Sequence, residues 1–261
     1  MKPLKPRVAV FKFASCDGCQ LQFLNAEDEL LALAGEVDLA YFLEARSRQL
    51  PGPYDIAFVE GSITTPHDAR RIIKVREDSR YLVTIGACAT AGGIQALRNW
   101  AQIEDYKRIV YPSPEFIATL STSTPISEHV RVDYEIWGCP IDQQQLLAVV
   151  RSLLSGAQPT LPAHSVCMEC KRRGAVCVVV AQGEPCLGPV TRAGCGAICP
   201  AMHRGCYGCF GPADDPNMTS FATLLERQGL GRDEAVRRLR GINGYVRPLR
   251  ETSDAIAQRQ D

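Results

Sequence analysis

The sequence predicts an α/β protein, with a parallel sheet covered on both faces, then a small cysteine-rich module and C-terminal helices. Three observations predict it. Short apolar runs alternate with helix-period segments over the first 158 residues, the pattern of strands buried between helical layers. The cysteines and a lone glutamate of that stretch fall just past the ends of the apolar runs, the edge at which open α/β sheets bind ligands. From residue 159 the composition changes to one rich in cysteine, glycine and proline.

The elements follow in order. Residues 8–13 are a short apolar strand. Leu21, Leu24, Leu31 and Ala34 give a helical period over residues 20–34, with Gly35 as its stop. Residues 37–43 and 56–59 are strands. Thr65 and Pro66 supply an N-cap and a first-turn proline for a helix reaching about residue 78. Strands follow at residues 81–85 and 132–137, then a helix over residues 142–154 closed by Gly156. Residues 159–162 look like a linker. Eight cysteines then fall between Cys167 and Cys209. So little apolar content predicts a segment that relies on bound metal rather than on a core of its own. Helices are expected over residues 218–228, stopped by Gly229, and over residues 233–240, with Asp233 as N-cap and Gly241 as stop. Residues 251–261 read as a polar tail. The domains divide as residues 1–158, 159–212 and 213–261.

Composition narrows the function classes. The 261 residues are 46% hydrophobic, and 29 Lys+Arg balance 29 Asp+Glu. A globular protein is expected, with no basic excess to bind nucleic acid or an anionic membrane. No window approaches the roughly 18 apolar residues of a membrane span. The first residues carry no apolar leader or twin-arginine signal, which predicts a cytoplasmic protein. In that reducing compartment twelve cysteines point to metal or cluster binding rather than disulfides. Twelve is three times the four thiolates of a cubane cluster. No G-x-G-x-x-G follows a strand, so a nicotinamide nucleotide should bind elsewhere.

The cysteines form two constellations. Cys16-x2-Cys19 follows the first strand, Cys88 lies in Gly86-Ala87-Cys88-Ala89, and Cys139 lies in Gly138-Cys139-Pro140. A C-x2-C pair reaches one soft centre from a single turn. A zinc site or a redox dithiol shares that pair, and the two further cysteines at strand ends favour a cluster. The second constellation is Cys167-x2-Cys170-x6-Cys177-x8-Cys186-x8-Cys195-x3-Cys199-Pro200, then Cys206-x2-Cys209. Its C-x3-C-P ending matches the last part of a bacterial ferredoxin run. Eight thiolates suit two four-iron clusters, and the spacing leaves the pairing open, as it leaves open a zinc-stabilised scaffold. His67, His129, His164 and His203 are not needed as ligands. Lys171-Arg172-Arg173 reads as a solvated charged face.

These residues carry a resemblance. Ser15-Cys16-Asp17-Gly18-Cys19-Gln20, Val59-Glu60-Gly61-Ser62, Gly86-Ala87-Cys88-Ala89 and Trp137-Gly138-Cys139-Pro140 resemble the family shared by nickel–iron hydrogenase small subunits and the twenty-kilodalton subunit of respiratory complex I. The run from Gly183 through Cys186-Leu187-Gly188-Pro189-Val190-Thr191 to Cys195 closely resembles the delta subunit of sulfhydrogenases, the cytoplasmic NADP-linked hydrogenases. The resemblance spans about residues 7–245. It implies a flavodoxin-like domain whose Cys16, Cys19, Cys88 and Cys139 hold a proximal 4Fe–4S cluster. It also implies a ferredoxin-like domain holding two more clusters through Cys167, Cys170, Cys177, Cys186, Cys195, Cys199, Cys206 and Cys209. Glu60 matches a family glutamate near the proximal cluster, where it moves protons or shapes an interface; a carboxylate that caps a loop is the equal alternative. The implied partners are a large subunit carrying the nickel–iron centre, an iron–sulfur subunit and a flavin subunit that binds NAD(P). Small subunits of deazaflavin-reducing and heterodisulfide-reductase-linked hydrogenases combine the same modules. The complex I relative carries adjacent cysteines where this chain has Cys16-x2-Cys19, which favours the hydrogenase branch.

Overall fold

The computed structural model describes residues 5–259, and the chain divides into two compact units, one reaching to Thr160 and one from Leu161 onward. In the first unit five strands form one sheet: β1 (Arg7–Lys12), β2 (Asp38–Phe42), β3 (Tyr54–Glu60), β4 (Ser79–Ile85) and β5 (Tyr134–Ile136), in the order β2-β1-β3-β4-β5. Every pairing is parallel. The order is that of the flavodoxin-like doubly wound fold, whose direction reverses between β1 and β3. The central strands are continuous apolar runs because helices cover both faces; Ile56, Phe58, Leu82 and Ile85 are at most 2% exposed.

Helices α1 (Gly18–Leu24), α2 (Glu27–Glu36), α3 (Pro66–Glu77), α4 (Gly86–Ala91), α5 (Ile103–Val110) and α6 (Gln143–Leu154) complete this unit. Two of these helix starts are capped by side chains, the first of them the one the sequence named. Thr65 Oγ1 accepts from the Asp68 amide at 3.1 Å with Pro66 in the first turn, and Asp142 accepts from the Gln145 amide at 2.9 Å. The single helix expected over residues 20–34 is instead two, α1 and α2. Phe23 at the end of α1 is buried edge-on against Phe42 and Phe58. The chain then turns, with Glu27 at φ 41°, into an α2 that buries no residue and runs through Gly35 to Glu36. Gly35 is therefore not the stop.

The second unit holds α7 (Val166–Arg172), α8 (Val178–Gln182), α9 (Ile198–Ala201), α10 (Met218–Arg227), α11 (Arg232–Leu239) and α12 (Arg247–Ala257). Asn217 caps α10, and Gly231 rather than Asp233 precedes α11. The expected polar tail is mostly helix α12. Its Leu249, Ser253 and Ile256 fall on one buried stripe, too sparse an apolar period to read from the sequence; residues 260 and 261 lie outside the described residues. The cysteine segment also shares a core. Leu187 and Val190 pack with Phe221, Leu225, Leu239 and Ile256, so apolar contact and bound metal need not be alternatives there. No helix among the described residues is long and apolar enough to cross a membrane.

Candidate metal centre

The four loops beyond the carboxyl ends of β1, β3, β4 and β5 are tied in two pairs by their backbones, and the pairs are joined by the Gln95 side chain. Ala14 and Ser62 exchange amide bonds at 3.2 and 3.0 Å, and the Ala87 amide donates to the Gly138 carbonyl at 2.7 Å. Gln95 Nε2 donates to the Ala14 carbonyl at 2.8 Å, while its Oε1 stands 3.5 Å from Cys88 Sγ. Gly61 permits the crossing of the first two loops. At φ 96°, a Cβ there would lie 2.5 Å from the Phe13 carbonyl carbon.

These ties bring Cys16, Cys19, Cys88 and Cys139 to the β1/β3 reversal. A Cβ on Gly86 would fall 2.3 Å from Cys19 Sγ, and one on Gly93 2.7 Å from Cys88 Sγ. One on Gly18 would stand 3.4 Å from Cys16 Sγ and 3.9 Å from Pro140. Glycine thus lines the space beside three of the sulfurs. Burial pushes the Cys88 thiol up to about 11, with Cys139 and Cys16 adding to the rise. Burial likewise raises Cys19 and Cys139, with Glu60 and neighbouring cysteines adding to both. Crowded, half-buried thiols of this kind become thiolates when a cationic centre compensates them.

Glu60, at the end of β3, is 1% exposed. Its Oε1 accepts from the Cys19 amide at 3.0 Å and its Oε2 from Gln20 Nε2 at 2.8 Å. Burial raises its pKa and these two bonds lower it. Both oxygens are committed to the first turn of α1, the turn that carries Cys19.

The second constellation lies wholly in the second unit. Cys167 and Cys170 share one face of α7, and Cys177 precedes α8. A Cβ on Gly188 would meet Cys186 Sγ at 3.3 Å and Cys167 Sγ at 3.6 Å, so one corner serves both sulfurs. Burial raises the Cys167 and Cys170 thiols; Cys186 and Cys177 add to both, and Cys170 also raises Cys167. Elsewhere Glu169 Oε1 accepts from the Gly194 amide at 2.8 Å, and burial raises Cys195, with Glu169 and Cys199 adding to it. The Arg204 amide donates to the Cys199 carbonyl at 3.0 Å, tying that turn to the segment leading into Cys206. Burial pushes Cys206 up to about 12, against the Gly208 amide, with Cys186 and Cys209 raising it further.

All twelve cysteines are free thiols. Among the described residues no three His, Cys, Asp or Glu side chains are gathered tightly enough to hold a single ion. A cubane spreads its four thiolates over four irons, a wider set than the tetrahedron of one ion. An all-thiolate donor set with glycine-lined space beside it fits such a group. His164 and His203 are exposed. Gly93, Gln95, Gly188 and Glu169 escaped the sequence reading, because their roles depend on contacts between loops distant in sequence.

Comparison with known proteins places this arrangement. The family model described as NADH ubiquinone oxidoreductase, 20 Kd subunit, matches residues 16–153. Sulfhydrogenase 2 subunit delta of Pyrococcus furiosus is 35% identical over 90% of this chain and 98% of its own length. A vhu-type subunit of the F420-non-reducing hydrogenase of Methanocaldococcus jannaschii is 32% identical over 82% of this chain and 84% of its own. Among solved structures, a chain of an NAD+-reducing [NiFe]-hydrogenase in the H2-reduced state aligns with TM-score 0.56 and 31% identity. It covers 60% of this chain and 96% of that one. With its sheet order, its edge cysteines and these similarities, the chain belongs to the family of the 20 Kd subunit of NADH ubiquinone oxidoreductase and is a nickel–iron hydrogenase small-subunit-like protein.

Proposed function

We propose that this chain is the electron-transfer small subunit of a heteromeric nickel–iron hydrogenase, acting in the cytoplasm and linked to NAD(P). The observation that carries the proposal is the gathering of Cys16, Cys19, Cys88 and Cys139 at the sheet's reversal point, beside Gly86 and Gly93, in a chain similar to a sulfhydrogenase delta subunit. These four would hold a proximal 4Fe–4S cluster. The corner that Cys186 and Cys167 share beside Gly188, and the α7 face that Cys167 and Cys170 share, with Cys177 acting on both of these thiols, favour Cys167, Cys170, Cys177 and Cys186 as one further ligand set. Cys195, Cys199, Cys206 and Cys209 would then form the other. Bound there, such clusters supply reversible one-electron transfer.

The chain's own residues do the rest. Glu60 holds the Cys19 peptide, and Gln95 spans the Cys88 and Cys16 loops. The sheet edge offers the proximal set to a large subunit, which would carry the nickel. An iron–sulfur subunit and a flavin subunit that binds NAD(P) would receive the electrons. The similarity to F420-non-reducing hydrogenases supports a second reading. It has the same wiring with another acceptor, as in hydrogenases linked to deazaflavin or heterodisulfide reduction.

Metal analysis of the anaerobically purified chain and of its native complex tests the proposal. About twelve irons and twelve sulfides on this chain, with nickel only in the complex, are expected. Zinc in place of iron would leave a cysteine-rich scaffold. Cys16→Ser and Cys139→Ser should each abolish hydrogen-driven dye reduction while sparing the second-unit clusters, and full activity in either would refute the proximal assignment.

A further inference from the structure

The two thiol sets of the second unit are joined at one point by backbone. The Cys206 amide donates to Cys186 Sγ at 3.2 Å, and the Cys206 carbonyl accepts from the Leu187 amide at 3.0 Å. Both backbone groups of one cysteine are thus committed to the segment that carries another. Cys186 and Cys206 are only 6% and 5% exposed, so water scarcely competes for these bonds.

The approach depends on Gly205. A Cβ there would stand 2.0 Å from the Pro185 carbonyl oxygen and 3.4 Å from Cys186 Cα. No left-handed φ is involved, so only the missing side chain matters. On the other side Asn243, 2% exposed, donates Nδ2 to the Gly208 carbonyl at 2.8 Å, and the Gly208 amide faces Cys206 Sγ at 3.4 Å. Among the described residues the Oδ1 of Asn243 is buried and has no hydrogen-bond partner. A buried amide that forgoes one bond costs stability, so what it contributes here is its hold on Gly208.

We infer that Gly205 and Asn243 are positioning residues that clamp the 205–208 segment so that a peptide N–H of one cluster's ligand set bonds a sulfur of the other's. The inference rests on the division of the eight thiols proposed above. An N–H donated to a thiolate stabilises its electron-rich form, which raises the reduction potential of the set containing Cys186. The same bond is a short through-bond link between the sets, from Cys206 Sγ along its own Cβ, Cα and amide to Cys186 Sγ. An electron crossing here would oxidise by one electron the cluster that one set holds and reduce by one electron the cluster that the other holds. No proton moves, because the amide hydrogen stays on Cys206.

The test is a redox titration of the anaerobic native complex followed by electron paramagnetic resonance. Cys186→Ser and Cys206→Ser first assign the signals. They should alter different clusters; alteration of one and the same signal by both would overturn the thiol division and the inference with it. Gly205→Ala and Asn243→Leu should then keep their iron, shift the midpoint of the Cys186-set signal to lower potential, and weaken the magnetic broadening between the two second-unit signals. If Gly205→Ala fails to load iron, Asn243→Leu alone decides. An unshifted midpoint with unchanged broadening in iron-replete Asn243→Leu overturns the inference while leaving the thiol division intact.

Discussion

Gly86→Ala is a sharp test of the edge site, because the structure separates its two effects. Gly86 has φ 83°, and a Cβ there lies 2.3 Å from Cys19 Sγ. Placing an L-residue in the left-handed region costs roughly 1–2 kcal/mol. Restoring ordinary contact moves the Cys19 sulfur by about 1 Å, several times the ~0.2 Å over which ligand distances of a metal site are held. Gly156→Ala, in the same unit at φ 75° with nothing among the described residues within 4 Å of its Cβ, carries the backbone cost without the displacement. Iron per chain and the thermal midpoint, measured anaerobically on both variants, give the readout. Gly156→Ala should lower the midpoint and keep about twelve irons, whereas Gly86→Ala should lose about four. A Gly86→Ala protein with full iron and unaltered cluster spectra would refute the placement of Cys19 at that site.

Four further outcomes follow from the geometry. Glu60→Leu leaves the buried Cys19 amide without its acceptor and should cost about 1–3 kcal/mol with loss of proximal iron. Glu60→Gln keeps an acceptor and should retain iron, so a large fall in hydrogen-driven rate in that iron-replete variant would assign Glu60 to proton transfer instead of positioning. Thr65→Ala removes the cap of α3 and should lower stability by about 1 kcal/mol with iron and dye reduction unchanged, as read by thermal denaturation. Leu225→Ala opens a cavity in the core shared by the C-terminal helices and Leu187. It should cost about 2–5 kcal/mol, seen as an earlier thermal transition with dye reduction retained below it.

The parallel sheet was legible because its central strands are short apolar runs and the site residues lie at or just past strand ends. Those are local signals, and all five strands lie where apolar runs predict them. One cap was equally legible, since Thr65-Pro66 names the start of α3, whereas the Asp233 cap expected for α11 gives way to Gly231. Where the local signal is weak, the reading failed. The α1–α2 turn depends on Phe23 reaching two rings on strands distant in sequence. The α12 stripe of Leu249, Ser253 and Ile256 becomes apolar enough to form only against α10 and α11.

The candidate site divides along the same line. Which residues can ligate was plain, since a thiol announces itself in sequence. How the thiols associate was not, because spacing limits only what one turn can reach. Cys167 and Cys170 on one face of α7 are such a pair, and helix period alone would group them. Cys186 lies close to Cys167 because Gly188 leaves a corner where both sulfurs fit. Cys206, twenty residues further on, is held against Cys186 by its amide, which donates to the Cys186 sulfur. Proximity in space therefore does not by itself make two cysteines ligands of one centre. On the division proposed above, the Cys206 amide on Cys186 Sγ is a backbone bond that lets two ligand sets stand close without sharing a ligand.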